Sequence, residues 1–172
     1  MTTRDDELFP VVDIEGNTIG QATRRECHGG SMLLHPVVHL HIFRPGGYIY
    51  LQKRAMSKDI QPGRWDTAVG GHVDFGESVA DALVREAREE LSVDASGAVP
   101  LLRYPFRSAV EYELVNTFYI VAGDGFCAVG DPDEIDDARF WHVDEVTEAL
   151  GHGIFTPNFE QEFQRILPLI PR

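Results

Sequence analysis

The sequence is poor in cysteine and in long apolar runs. Its two cysteines, Cys27 and Cys127, form no C-x-x-C pattern, which argues against a disulfide scaffold and against a zinc ribbon. No apolar stretch approaches the length of a membrane span, and the first residues are acidic and polar, so we expect neither a membrane partner nor a secretion signal. A reducing cytoplasm fits this composition best.

Positive charge is also scarce. Lys and Arg number 15 against 28 Asp and Glu, which gives a formal net charge of −13. A nucleic acid polymer would meet a repulsive field over most of the surface, so we expect no such partner. A phosphorylated substrate must then be met by local basic side chains or by a bound metal. The length of 172 residues suits one core, and we predict a single domain over residues 1–172.

The succession of turn signals and apolar runs predicts an α/β fold. A hairpin is predicted over about 8–23, and the clearest helix runs from Ser78 to Leu91, with Ser78 as its N-cap. Further strands are predicted at 36–43, 48–51, 100–106, 111–122 and 138–143, and further helices near 144–150 and 157–166. Strands interleaved with helices predict a mixed β-sheet packed between helices.

Three carboxylates share one sector of the predicted helix. At roughly 100° per residue, Glu86, Glu89 and Glu90 lie at the margin of the apolar face, whereas Arg85 and Arg88 point toward solvent. Like charges at this spacing disfavour a helix by a few tenths of a kcal/mol per pair. A hard divalent cation such as magnesium offsets that cost, because it takes oxygen ligands. Considered alone, the run is more typical of a solvated, charged helix face.

The residues around this helix follow the pattern G-x5-E-x7-R-E-U-x-E-E-x-G-U, where U is apolar. The match runs from Gly71 through Glu77 and Arg85 to Val93. One position departs, since the second glycine of the pattern is Ser92, directly after the helix, where glycine suits a left-handed cap. The segment resembles the box of the Nudix hydrolase superfamily.

This resemblance implies a Nudix-type α/β/α sandwich and a metal-dependent hydrolysis. Water activated by Mg²⁺ or Mn²⁺ attacks a diphosphate that is joined to another group, and the metal neutralises charge on the phosphoryl oxygens. By similarity, the metal ligands are the side chains of Glu86, Glu89 and Glu90 and the carbonyl of Gly70, and Glu77 pairs with Arg85 to brace the loop. The general base stays open among Glu86, Glu89, Glu111, Glu113 and Glu134.

A second resemblance spans about residues 9–141. The segment 51–72 contains LQKRAMSK, QPGRW and GGH, which is similar to the type 1 isopentenyl-diphosphate isomerase branch of the superfamily. The branch holds a metal through histidines and a Glu-x-Glu pair, and the matching positions of this second metal site are His28, His35, His72, Glu111 and Glu113. Its diphosphate-binding positions match Arg54 and Lys58. Strand histidines are also commonly packed, and alternation alone places two glutamates on one strand face.

The isomerase resemblance is incomplete at one position. Its catalytic cysteine corresponds to Gly70 in this chain, and Cys27 and Cys127 lie elsewhere in the motif order. We therefore predict a Nudix hydrolase that cleaves a small organic diphosphate, nucleoside or other, on an isomerase-like frame. Two alternatives are an isopentenyl-diphosphate isomerase-like enzyme and a catalytically silent module that binds a nucleotide metabolite. Many relatives are dimers, so a homodimer is also expected.

Overall fold

The computed structural model describes residues 3–172, which form one mixed sheet, a separate hairpin and four helices. The strands are β1 (Leu8–Val12), β2 (Thr18–Thr23), β3 (Leu34–Arg44), β4 (Tyr48–Arg54), β5 (Trp65–Thr67), β6 (Val69–His72), β7 (Val99–Arg107), β8 (Tyr112–Val121) and β9 (Ile135–His142). The helices are α1 (Arg24–His28), α2 (Val79–Leu91), α3 (Val143–Ala149) and α4 (Pro157–Ile166), with 3-10 turns at Arg4–Asp6 and Leu167–Leu169.

The main sheet has seven strands. Its path runs β5-β4-β3-β8-β7, with β6 paired to β3 and β9 paired to β4. The β3–β8 pair is parallel and the other pairs are antiparallel, so the sheet is mixed as predicted. Among residues 3–172, no helix is long and apolar enough to cross a membrane.

Strand β3 is buried on both faces and divides the core in two. Val38, Leu40 and Ile42 pack with α2 on one face, whereas Phe43 packs with α3 and α4 on the other. Successive side chains of a strand point to opposite faces, so helices on both sides of β3 give an α/β/α sandwich. The predicted fold class is confirmed.

Helix α2 is held at both ends by the residues that the sequence singled out. The Oγ of Ser78 accepts a hydrogen bond from the backbone N–H of Asp81 at 3.1 Å. At the other end Ser92 takes the left-handed conformation with φ 54°, where the Nudix pattern has glycine. A serine there costs about 1 kcal/mol relative to glycine and removes no side chain from the site.

The hairpin of β1 and β2 turns where predicted, but β1 ends at Val12 because Asp13 belongs to the turn. The carboxylate of Asp13 accepts from the backbone N–H of Asn17 at 2.8 Å. Phe9 of β1 packs with Ala22 and Cys27 in a small separate core. The hairpin and α1 thereby cover the end of the sheet from which β3 starts.

Candidate active site

A cleft of about 1190 Å³ runs across one end of the sandwich. It is lined by twelve of the residues that the sequence singled out, namely His28, Arg54, Lys58, Gly70, His72, Arg85, Glu86, Glu89, Glu90, Glu111, Glu113 and Glu134. The predicted diphosphate contacts, the general-base candidates and all of the predicted metal ligands except the buried His35 therefore share one cavity. Its size suits a small organic molecule.

The innermost carboxylate of α2 lies against the strand β6. The Oε2 of Glu90 accepts from Gln52 Nε2 at 3.2 Å and from the backbone N–H of Gly70 at 3.4 Å. Glu86 lies beside Gly71, where an added Cβ would come within 2.2 Å of the Glu86 carboxyl carbon. A side chain at this position would clash with Glu86, which explains why the box begins with glycine. Gln52 was not predicted from the sequence.

Burial disfavours the charged forms of Glu86 and Glu90, the two inner carboxylates of the helix. Burial, reinforced by the charge of Glu86, raises the pKa of Glu90 to about 8. Burial also raises the pKa of Glu86, although Arg85 opposes the shift. Glu89 stands at the rim with a side chain that is 60% exposed. Oxygen-only donors with raised pKa values, beside a glycine that leaves them room, fit a hard divalent cation.

Arg85 braces the loop before α2, as the Nudix resemblance implies. Its Nε and Nη2 donate to the two carboxylate oxygens of Glu77, both at 2.9 Å. The Nη2 also donates to the carbonyl of His72 at 3.1 Å, and the Nη1 donates to Glu86 at 2.9 Å. The helical projection was therefore wrong for Arg85, whose guanidinium folds back over the box because Glu77 and His72 lie there.

The five residues matching the isomerase metal site also come together. The nitrogens of His28, His35 and His72 lie within 4.8 Å of one another, and so do donor atoms of His35, Glu111 and Glu113. Strands β3 and β8 produce the second group, since His35 is the register partner of Glu113. Sequence analysis did not predict α1, the short helix that carries His28.

The three histidines of this cluster are in the protonation state that binds metal ions. Burial holds the pKa of His72 well below its ordinary value, and burial lowers the pKa of His28 and His35 too. Burial and the charge of Glu111 raise the pKa of Glu113 to about 7. The rings are neutral at neutral pH, and neutral imidazole is the form that binds metals. The ring nitrogens Nε2 of His28 and His72 are only 3.1 Å apart.

Arg54 and Lys58 both line the cleft. Arg54 donates through Nε to the carbonyl of Ile60 at 3.0 Å, with its Nη1 4.0 Å from Asp66. Lys58 pairs with the carboxylate of Glu134. Both positions are those assigned to diphosphate binding by resemblance. Each cation therefore already has an acidic neighbour. A bound phosphate would share the cation with that carboxylate.

Sequence reasoning missed a triad of His39, His41 and Glu162, of which His39 lines the cleft and the other two lie buried behind it. Glu162 of α4 accepts from His39 Nδ1 at 2.6 Å and from His41 Nε2 at 3.0 Å. Burial would lower the pKa of His39, but the charge and hydrogen bond of Glu162 overcome this effect and raise it to about 9. The two histidines at spacing two on a strand were the one signal in the sequence, because Glu162 lies 123 residues after His39.

Comparison with known proteins agrees with both resemblances. Residues 33–160 match the family model of the NUDIX domain. An isopentenyl-diphosphate Delta-isomerase of Mycolicibacterium vanbaalenii is 37% identical over 101 residues, which are 57% of this chain and 56% of the isomerase. An uncharacterized Nudix hydrolase of Yersinia pestis is 28% identical over 180 aligned positions, covering 94% of this chain and 93% of that protein.

A solved structure extends the comparison to the fold. The crystal structure of DR0079 from Deinococcus radiodurans superposes with a TM-score of 0.77 at 22% identity, and the match covers 92% of this chain and 98% of that one. The family model spans most of the 172 residues, including the whole box and both candidate metal clusters except His28. The protein belongs to the Nudix family and is a Nudix hydrolase enzyme.

Proposed function

We propose that the protein is a metal-dependent hydrolase that cleaves the diphosphate linkage of a small organic diphosphate, nucleoside or other. One observation carries the proposal. The crowded carboxylates Glu86 and Glu90 face the same cavity as the cations Arg54 and Lys58. A diphosphate is anionic along its whole length and needs cations to bind it. This cavity offers side-chain cations and also a set of hard oxygen donors that suit a divalent metal ion.

Each group has a separate task in this proposal. Glu86, Glu89, Glu90 and the Gly70 carbonyl would hold Mg²⁺ or Mn²⁺, and Arg85 with Glu77 keeps the box loop in place. When bound, the metal makes water more acidic and neutralises charge on the phosphoryl oxygens. Arg54 and Lys58 orient the diphosphate by hydrogen bonds to its oxygens.

An isomerase of isopentenyl diphosphate is the second candidate. The cluster of His28, His35, His72, Glu111 and Glu113 favours it, and we propose that this cluster holds a second metal. Position 70 argues against it, because glycine provides no group that transfers a proton. A silent binding module is the third candidate, and the complete carboxylate set of α2 argues against that one.

A substrate panel separates the three candidates. The protein is incubated with Mg²⁺ or Mn²⁺ and with nucleoside triphosphates, nucleotide sugars, dinucleotides and isopentenyl diphosphate. We expect phosphate-containing hydrolysis products from at least one compound. Dimethylallyl diphosphate as the sole product would establish the isomerase instead. Binding of a ligand without turnover, by wild type and Glu90→Gln alike, would leave the silent module.

Arg54→Ala is expected to raise KM about tenfold with little change in the fold. The guanidinium is a fork that matches phosphate oxygens, and its loss removes charge-assisted hydrogen bonds to the diphosphate. Steady-state kinetics on the best panel substrate measures the effect. Lys53→Ala is the matched control, since Lys53 is the neighbouring strand residue but does not line the cleft. Unchanged KM in Arg54→Ala would remove this residue from the site.

Magnesium affinity is expected to rise with pH and to level off near pH 8. The pKa of Glu90 in the metal-free protein is about 8. Below that pH the carboxyl is protonated and must lose its proton before it can bind a cation, so affinity falls by up to about tenfold for each unit that the pH falls below 8. Calorimetry in two buffers of different ionisation enthalpy measures the released proton.

Glu90→Gln provides the control for this pH dependence. Glutamine cannot ionise, so the variant should bind Mg²⁺ more weakly and without proton release. Equal affinity of the wild type at about pH 6 and about pH 8.5 would contradict the assignment of Glu90 as a ligand.

A further inference from the structure

The face of α4 that contacts the sheet is apolar except at Glu162. Phe159, Phe163 and Ile166 are fully buried there, and Glu162 is equally buried with 0% exposure. Its Oε2 accepts from His39 Nδ1 at 2.6 Å and its Oε1 accepts from His41 Nε2 at 3.0 Å. The two histidines and Phe43 follow one another on the same face of β3.

Burying the Glu162 carboxylate costs free energy that an apolar residue at this position would not. A buried ion pair gains little over well-packed apolar residues of similar volume, because both charges lose their hydration. The three aromatic and aliphatic neighbours on α4 show that an apolar residue suits this layer. A charge kept at such a position, directly behind the cleft, indicates a task other than packing.

The geometry of His39 shows what that task involves. Glu162 takes up Nδ1, so the ring presents Nε2 to the cavity that also contains Gly70, Glu90, Arg54 and Lys58. The ring edge lies against β6, since an added Cβ at Gly70 would be 3.4 Å from His39 Cδ2 and 3.7 Å from Nε2. The side chain of His39 is 19% exposed.

His41 differs from His39 although it binds the same carboxylate. Its ring is 0% exposed, and its Nδ1 has no hydrogen-bond partner among residues 3–172. It does not line the cleft. His41 therefore shares the strand, the face and the acidic partner of His39, but it has no access to a substrate.

We propose that His39 contacts a phosphoryl oxygen of the bound diphosphate through Nε2, with Glu162 as the residue that positions the ring. The inference rests on the proposed hydrolase function. The 2.6 Å ion pair between Nδ1 and the buried Glu162 carboxylate fixes the ring, and Nε2 is left to donate to a ligand in the cavity. His39 lines the same cavity as Gly70, Glu90 and the cations Arg54 and Lys58, so a diphosphate bound there is within reach of the ring. A fixed donor stabilises charge that grows on the phosphoryl group during cleavage.

The test compares His39→Gln and His39→Asn with the matched control His41→Gln. Both His39 variants are expected to lower kcat about 100-fold, as removal of a fixed donor commonly does. Both are also expected to weaken binding of methylenediphosphonate, a diphosphate analogue that cannot be hydrolysed, about tenfold in calorimetry with Mg²⁺. His41→Gln should lower Tm but keep kcat within about threefold, because His41 does not line the cleft and glutamine can still donate a hydrogen bond to Glu162.

Glu162→Gln tests the positioning step. It should lower kcat in the wild-type background and have no further effect on kcat in His39→Gln, because it acts through that ring. Losses of kcat that follow the losses of Tm equally in His39 and His41 variants would overturn the inference. An active wild type with an equally active, equally ligand-binding His39→Gln would overturn it alone. A wild type that neither cleaves the panel nor binds methylenediphosphonate would overturn the proposed function as well.

Discussion

Glu90→Gln is expected to lower kcat about 1000-fold, which corresponds to about 4 kcal/mol of transition-state stabilisation. Glutamine keeps the volume of the side chain and can still meet Gln52 and the backbone of Gly70, but it has no charge with which to hold a divalent cation. Loss of the ligand removes both the activation of water and the neutralisation of the phosphoryl oxygens. Steady-state kinetics at saturating Mg²⁺ measures the change.

The same variant is expected to be at least as stable as the wild type when no metal is bound. The pKa of Glu90 is about 8 because burial and Glu86 disfavour its charge. Its folded-state pKa lies above the ordinary value, so the metal-free protein loses stability as pH rises from about 4.5 toward 8. Glu90→Gln removes this penalty, and its Tm without metal at about pH 8 should equal or exceed that of the wild type.

The control is Asp81→Asn, which removes an exposed carboxylate from the first turn of the same helix. It should retain full activity, since Asp81 does not line the cleft. Glu90→Gln with wild-type kcat would contradict the metal role of this helix. A large loss in Asp81→Asn would show that the helix tolerates no charge change, and the Glu90 result would then carry no information on the metal.

Arg85→Gln is expected to lower the free energy of unfolding by about 2–3 kcal/mol and Tm by about 5–10 °C. The guanidinium satisfies both oxygens of Glu77, the carbonyl of His72 and one oxygen of Glu86. Removing it leaves a partly buried group of acids without their counter-charge, and glutamine replaces only one of these bonds. Thermal unfolding followed by circular dichroism measures the loss.

The neighbouring Arg88 supplies the comparison. It is exposed on the same helix, and none of its side-chain contacts holds the box loop in the described structure. Arg88→Gln should change Tm by no more than about 2 °C. Equal destabilisation by the two variants would contradict the bracing role of Arg85, and it would attribute the effect to the charge of the helix as a whole.

The strands and helices with long apolar patterns could be predicted from the sequence. Helix α2, the hairpin and the strands β3, β4, β7, β8 and β9 lie close to their predicted positions, because their periodicity is local. The elements β5, β6 and α1 were missed. They contain three to five residues, too few for a period to be visible, and Gly70 and Gly71 in β6 are poor strand formers whose conformation is set by pairing with β3.

The same distinction between local periodicity and tertiary contacts applies to the candidate site. The sequence by itself determined the family and the stripe of Glu86, Glu89 and Glu90, since a helix places residues at such spacings on one side. The tertiary structure alone decided that Arg85 folds back onto Glu77 and that Glu162 reaches His39. Such contacts depend on how a loop returns and how a helix docks on a sheet, and neither is written in the local periodicity of the chain.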